Sequence, residues 1–303
     1  MGNIVHLYYG PPNDYPDWYH RYMFISSDGV EGDSAVYYNG QFSWNQDPHC
    51  VDSDGNIYIA GKWAKKIYKL GSDGTKLAEI DYDTATQCAI TIDEDIWFFE
   101  YDDDGDPALR KRDKDTLAIL DEFSISGADY TGMAFDADDN VYLIDSVQDR
   151  IEKYNVSTKS FVAREDLPEE LADNAIFCSL AVLDDVVYLA NWSAYNYDGP
   201  GYIWSCPTDL SSGFVTNEIA EWDTTRDAID VITAFEGTHI VIVGEKYGSG
   251  TKTVAKYDSS FTLVWETDVT YTGSELGVAA FPFPVAVTTY DYPIYPVIFP
   301  LET

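Results

Sequence analysis

The chain has 303 residues, 45% of them hydrophobic, and a formal charge of −35 at pH 7 from 53 acidic and 18 basic side chains. A surface so acidic repels phosphate backbones and anionic lipids, which argues against nucleic acid and membranes as partners. The apolar runs, such as Ile240 to Val243, fall far short of the ~20 residues of a spanning helix. Disorder needs low hydrophobicity as well as high charge, so a folded chain is expected. The surplus acid then suits either a protein working in high salt, as in halophiles, or one that meets cations or a basic partner.

In chain order, Met1 to His6 lacks the basic-then-apolar pattern of a secretory leader, and His6 stands where a myristoylation start needs Ser or Thr. No compartment is assigned. Residues 21–29 read as a strand with its turn and residues 34–38 as the next strand. From residue 49 onward a unit repeats. Ile57-Tyr58-Ile59-Ala60, Ile96-Trp97-Phe98-Phe99, Val141-Tyr142-Leu143-Ile144, Val187-Tyr188-Leu189-Ala190, Ile240-Val241-Ile242-Val243 and Val285-Ala286-Val287 begin 39, 45, 46, 53 and 45 residues apart. An Asp-, Asn- or Gly-bearing turn precedes most of them, as in Asp52-Ser53-Asp54-Gly55-Asn56, and these residues tolerate the left-handed backbone of tight hairpins. An apolar strand stands before each turn. An alternating strand follows (Ile67-Tyr68-Lys69-Leu70, Ile151-Glu152-Lys153-Tyr154, Val254-Ala255-Lys256-Tyr257), and then a fourth (Leu263-Val264-Trp265-Glu266).

Four strands every 40 to 50 residues is the spacing of a β-propeller. The fold class is all-β and the chain is one domain, residues 1–303. Residues 49–270 form the internal blades, and 1–48 with 271–303 form a closing blade. Residues 277–281 and 285–289 match its first and second strands, which makes six blades. If residues 4–9 and 294–299 belong to separate blades, the count is seven. The patterns Val51-Asp52-Ser53-Asp54-Gly55-Asn56-Ile57-Tyr58-Ile59-Ala60 and Ala134-Phe135-Asp136-Ala137-Asp138-Asp139-Asn140-Val141-Tyr142-Leu143 resemble the inner hairpin of NHL-repeat six-bladed propellers. That resemblance implies blade geometry and no particular activity.

In a propeller, the loops from second to third strand and from fourth strand to the next blade share one face, where binding usually lies. The longest such loop runs from Asn191 to Tyr202. Its Trp192, Tyr195, Tyr197, Asp198 and Tyr202, with Trp44 near the start of the repeat, are the candidate contacts for a protein or glycan, through stacking or anchoring. Asp102, Asp104 and Asp106 are weak calcium candidates, since the distal Glu of an EF-hand is missing; no other cofactor is expected. Cys50, Cys88, Cys178 and Cys206 lack metal spacing and read as buried thiols. The run Arg110-Lys111-Arg112 with Lys114 reads as a solvated strand.

Two functions follow. One is a non-catalytic platform for a protein or glycan within a larger assembly, such as a viral particle or surface structure of a halophilic host. The alternative is a metal-dependent, lactonase-type hydrolase with its site at the central channel. Asp47, His49, Gln87, Asp129, Asp227, Asp230 and Glu275 stand near the mouths of inner strands, but the Glu-Gly-Pro signature of that family is missing, so no catalytic residue is assigned.

Overall fold

The computed structural model describes residues 4–9, 19–25, 31–38, 49–61, 65–73, 75–82, 84–91, 93–101, 106–125, 130–172, 178–191, 202–219, 228–235, 237–245, 252–269 and 275–279. Strands β1 (Ile4–Tyr9), β2 (Tyr19–Ile25) and β3 (Glu31–Tyr38) come first. Blade 1 is β4 (His49–Val51), β5 (Ile57–Gly61), β6 (Lys66–Leu70) and β7 (Lys76–Asp81). Blade 2 is β8 (Thr84–Ile90), β9 (Ile96–Tyr101), β10 (Pro107–Arg112) and β11 (Ile119–Ser124). Blade 3 is β12 (Tyr130–Phe135), β13 (Asn140–Asp145), β14 (Arg150–Asn155) and β15 (Ser160–Asp166), followed by one helical turn, α1 (Glu169–Ala172). Blade 4 is β16 (Cys178–Leu183), β17 (Val186–Asn191), β18 (Tyr202–Pro207) and β19 (Val215–Glu218). Blade 5 is β20 (Ala228–Phe235), β21 (His239–Glu245), β22 (Lys252–Asp258) and β23 (Leu263–Val269), and β24 (Glu275–Ala279) is last.

Every blade is an antiparallel meander, and the remaining sheet has the order β24-β1-β2-β3. The first strands of the blades are neighbours in the order β4, β8, β12, β16, β20, and β24 lies between β20 and β4. The blade count needs a correction. The repeat itself builds five blades, not six or seven. The further four-stranded sheet joins the two ends and has no inner hairpin, because its first two strands come from opposite termini. Ile4–Tyr9 opens no separate blade. It pairs with β24, Val5 opposite Ala279 and Leu7 opposite Gly277, and so takes the place expected for residues 285–289, which lie outside the described residues.

In blades 1 and 3 the inner hairpin forms because an Asp organises its turn, and in blade 2 the Thr91 hydroxyl accepts the Asp95 amide at 3.1 Å in the same place. Asp52 accepts the amides of Asp54 (3.0 Å) and Asn56 (2.8 Å), and its other oxygen takes Asn56 Nδ2 (2.8 Å) and Tyr58 Oη (3.0 Å). Asp136 repeats this with Asp138, Asn140 and Tyr142. Gly55 and Asp139 supply the left-handed residue, with φ of 81° and 58°.

A second rule of the fold places rare lysines opposite a buried residue of the second strand, an aromatic in blades 1 to 3 and a valine in blade 5. Lys69, Lys111, Lys153 and Lys256 face Tyr58, Trp97, Tyr142 and Val241 across the second and third strands. Lys153 lies 5.0 Å over the Tyr142 ring and donates to the Thr208 carbonyl (3.1 Å), while Lys69 reaches Asp115 at 2.9 Å. Both acceptors belong to the next blade, so each lysine clamps a seam. Blade 4 has Ser205 in that place, and there Tyr188 meets Phe261 of blade 5 edge-on at 5.8 Å. The apolar core accordingly lies in the seams, in one cluster across blades 1 to 3, another across blades 3 and 4, and a third across blades 4 and 5.

Candidate binding face

First strands start, and second strands end, at one rim, where the loops to the third strand and between blades emerge. Close below that rim the innermost ladder breaks at a single level. Thr86 is skipped in β8, since Ala85 is opposite Glu100 and Gln87 opposite Phe99. Thr131 is skipped in β12, Asp230 in β20 and Leu276 in β24. Each is a β-bulge, which takes one residue out of the ladder, bends the strand and re-aims its neighbours. Blade 4 manages without one, its β16 and β17 pairing continuously from Cys178–Asn191 to Leu183–Val186. Beside the blade 3 bulge, Gly132 has no room for a side chain: a Cβ would sit 2.6 Å from Ile144 Cδ1 and 3.3 Å from Leu180 Cβ of the next blade.

Beneath the rim lie two buried polar groups. In blade 2, Glu100 accepts Arg112 Nε (2.6 Å) and Nη2 (2.7 Å) and Arg110 Nη1 (3.2 Å), and Arg112 also caps the Leu117 carbonyl at 2.8 Å. The basic run at 110–112 is therefore not the solvated strand expected. Its arginines fold inward because Glu100 is buried and an unpaired charge there would be costly. In blade 3, Glu152 accepts Tyr130 Oη (2.6 Å) and Tyr154 Oη (2.7 Å) and pairs with Arg150 at 2.6 Å. Burial, then the Glu152 contact, pushes the Tyr130 phenol far above its usual range, and burial chiefly pushes Tyr154 up to about 12. Both phenols stay protonated as donors. Asp145, fully buried, accepts the amides of Val147 and Gln148 and thereby shapes the turn into β14.

The expected contact residues are only partly placed. Trp44, Trp192, Tyr195, Tyr197 and Asp198 lie outside the described residues, as do Asp102 and Asp104. Tyr202 opens β18 opposite Glu218, half-buried and edge-on to Trp204 at 6.1 Å. Asp106 is exposed just before β10. The two stand on the same rim, on blades 2 and 4, with blade 3 between them. Of the hydrolase candidates, Asp47, Asp129 and Asp227 lie outside the described residues. His49 pairs with Ile59 in β4, and Gln87, Asp230 and Glu275 hold strand positions at or beside the bulges. Among the described residues no three of His, Cys, Asp and Glu are grouped as a metal ion would require, so the lactonase reading gains no support here. Cys50 and Cys206 are free and buried, and burial pushes the Cys206 thiol up to about 12. Cys88 and Cys178 hold strand positions in β8 and β16. The bulges were not foreseen, since one extra residue in a strand leaves no mark in a hydrophobic pattern.

The architecture is that of known propellers. A protein of unknown function from Bacteroides caccae superposes with a TM-score of 0.63 at 12% identity, over 93% of this chain and 99% of that one. A nidogen/laminin complex gives 0.58 at 11% (94% and 100% covered), and a streptogramin B lyase gives 0.53 at 16% (91% and 91%). At such identities the likeness is one of fold alone. No protein family matches the sequence, and no curated protein is similar to it. The resemblance to NHL repeats is corrected accordingly: the shared Asp-turn hairpin reflects a physical solution to the inner turn, and the likeness extends only to β-propellers in general.

Proposed function

We infer that the chain is a non-catalytic propeller platform that engages a protein partner through the bulged rim, as one component of a larger assembly. The observation that carries this reading is the common level of the four bulges at Thr86, Thr131, Asp230 and Leu276. Blade packing does not require them, because blade 4 has none. They re-aim residues on the rim where β17 ends at Asn191 and β18 begins at Tyr202, the two ends of the aromatic-rich sequence 192–201. The similar structures support a binding role without fixing it, since a nidogen/laminin complex and a lyase stand among them. The net charge of −35 favours a basic partner surface and suits a viral or surface assembly from a high-salt setting.

A photocrosslinking amino acid placed at Thr86 or Asp230 should capture one discrete protein from the native assembly. The same group at Asp54, on the opposite rim, should capture none. Saturable binding on a glycan panel with no crosslink at the rim would move the reading to a lectin, and turnover of a lactone or ester panel would overturn it.

A further inference from the structure

Among the described residues eight large apolar side chains are exposed, and seven of them lie on the outermost strands of the blades. Four occupy one structural position. The register between third and fourth strand skips a residue next to Lys69, Lys111, Lys153 and Lys256, and the skipped residues are Leu77, Leu120, Val162 and Val264. Each is about half exposed, at 54%, 57%, 49% and 49%. Ile119, Phe161 and Val215 flank the same level at 46%, 51% and 61%.

Bulges on edge strands ordinarily protect a sheet from pairing with another chain, and charged residues serve the same end. Here the bulge is kept while its extra residue is aliphatic in all four blades. On the same outward side, two residues further on, stand Glu79, Glu122, Arg164 and Glu266, and after them Asp81, Ser124, Asp166 and Asp268, all exposed. In blade 1 Glu79 already holds Lys66 and Lys76 at 3.0 and 2.5 Å. The outer wall thus carries a girdle of aliphatic pegs below a mainly acidic band.

The pegs select their occupant. An added β-strand needs a regular edge, and the bulges interrupt it at each peg. A second copy would bring another charge of −35 against the same band. An amphipathic helix needs no backbone partner, presents an apolar stripe, and can flank that stripe with lysine or arginine. Two residues along a strand span about 7 Å, which matches the offset from stripe to flank on a helix about 10 Å across. We propose that this wall, a surface separate from the rim, docks basic amphipathic helices of a partner protein, with the pegs in the apolar stripe and the acids on its cationic flanks.

The probe is a helix of about 18 residues, five turns, with leucine on one face and lysine elsewhere, followed by fluorescence anisotropy. Two controls replace its lysines by glutamate or its leucines by glutamine. The lysine–leucine helix should bind, and L77S/L120S/V162S/V264S should weaken it at least about tenfold, to the level of both controls. E122Q/E266Q should weaken it as well, which keeps the test open if the fourfold variant melts early. Unchanged affinity in the variants, or equal binding of the glutamine control, overturns the proposal. So does sedimentation showing that the wild type pairs with itself through the pegs. Crosslinking from Thr86 should survive all of these substitutions, so failure at the wall is separable from failure at the rim.

Discussion

Glu152 lies 2% exposed in the seam between blades 2 and 3 and takes donors from Tyr130 at 2.6 Å, Tyr154 at 2.7 Å and Arg150 at 2.6 Å. Replacing it by alanine leaves a buried phenol without its acceptor and removes the nearer partner of a largely buried guanidinium. Breaking a buried ion pair from one side costs about 3–5 kcal/mol. Arg150 keeps 19% of its side chain in solvent and has Asp145 at 3.5 Å, so it recovers part of its solvation. The lower end, about 3 kcal/mol, is the expected cost of Glu152→Ala. Glu152→Gln keeps one acceptor oxygen and should cost about 1–2 kcal/mol. Tyr130→Phe, which leaves the carboxylate its other two donors, should cost about 1 kcal/mol. Urea unfolding at fixed salt reads these as midpoint shifts at constant slope. If alanine cost no more than glutamine, or less than about 1 kcal/mol, the carboxylate would not be holding the seam and the reasoning would fail.

Gly132→Ala should destabilise by about 1–3 kcal/mol through overpacking, and adding Ile144→Val should recover part of it, because the 2.6 Å contact is with the Cδ1 that valine lacks; thermal melts of the single and double variants decide. Tyr58, Tyr130, Tyr142 and Tyr154 all have raised folded-state values, so the stability they carry is complete below the ordinary phenol range and is lost as pH rises through the folded values, about 12 for Tyr154. Tyrosinate absorbance should therefore appear together with loss of the β-sheet signal in alkali, and gradual ionisation of an intact fold would refute this. Raising salt from about 0.1 to about 2 M should raise the melting temperature by screening the repulsion among 53 acids, and a flat or falling response would point to acids already neutralised by bound cations.

Much of the fold was legible because each inner hairpin is organised locally. Asp52 and Asp136 build their turns from residues at most six positions away, so spacing alone disclosed them. The joint sheet was harder to read. Its first two strands are 274 residues apart at the Val5 and Ala279 partners and share no turn, so nothing local marks β1 as the second strand. The bulges were invisible for a different reason. Lys76-Leu77-Ala78-Glu79-Ile80 reads as plain alternation, and only pairing with β6, Leu70 opposite Lys76 and Lys69 opposite Ala78, shows Leu77 to be the extra residue. The burial of Arg112 was equally hidden, since it depends on Glu100 across the sheet and on the turn at Leu117.

The seams also show where a partner can be read and where it cannot. Four of the twelve lysines face the second strand at equivalent positions in blades 1, 2, 3 and 5, and Lys69 and Lys256 are buried there. Two of them reach the next blade, Lys69 to Asp115 and Lys153 to the Thr208 carbonyl, while Lys111 pairs with Asp95 and Lys256 lies over the Phe235 ring within their own blades. The outer wall holds part of its acid in bridges, Glu79 with Lys66 and Lys76, Glu122 with Arg110 and Asp121 with Lys159, within a chain of 53 acidic and 18 basic side chains. A wall left acidic beside half-exposed aliphatic pegs is poorly suited to water alone. It is well suited to a surface that brings both apolar contact and positive charge.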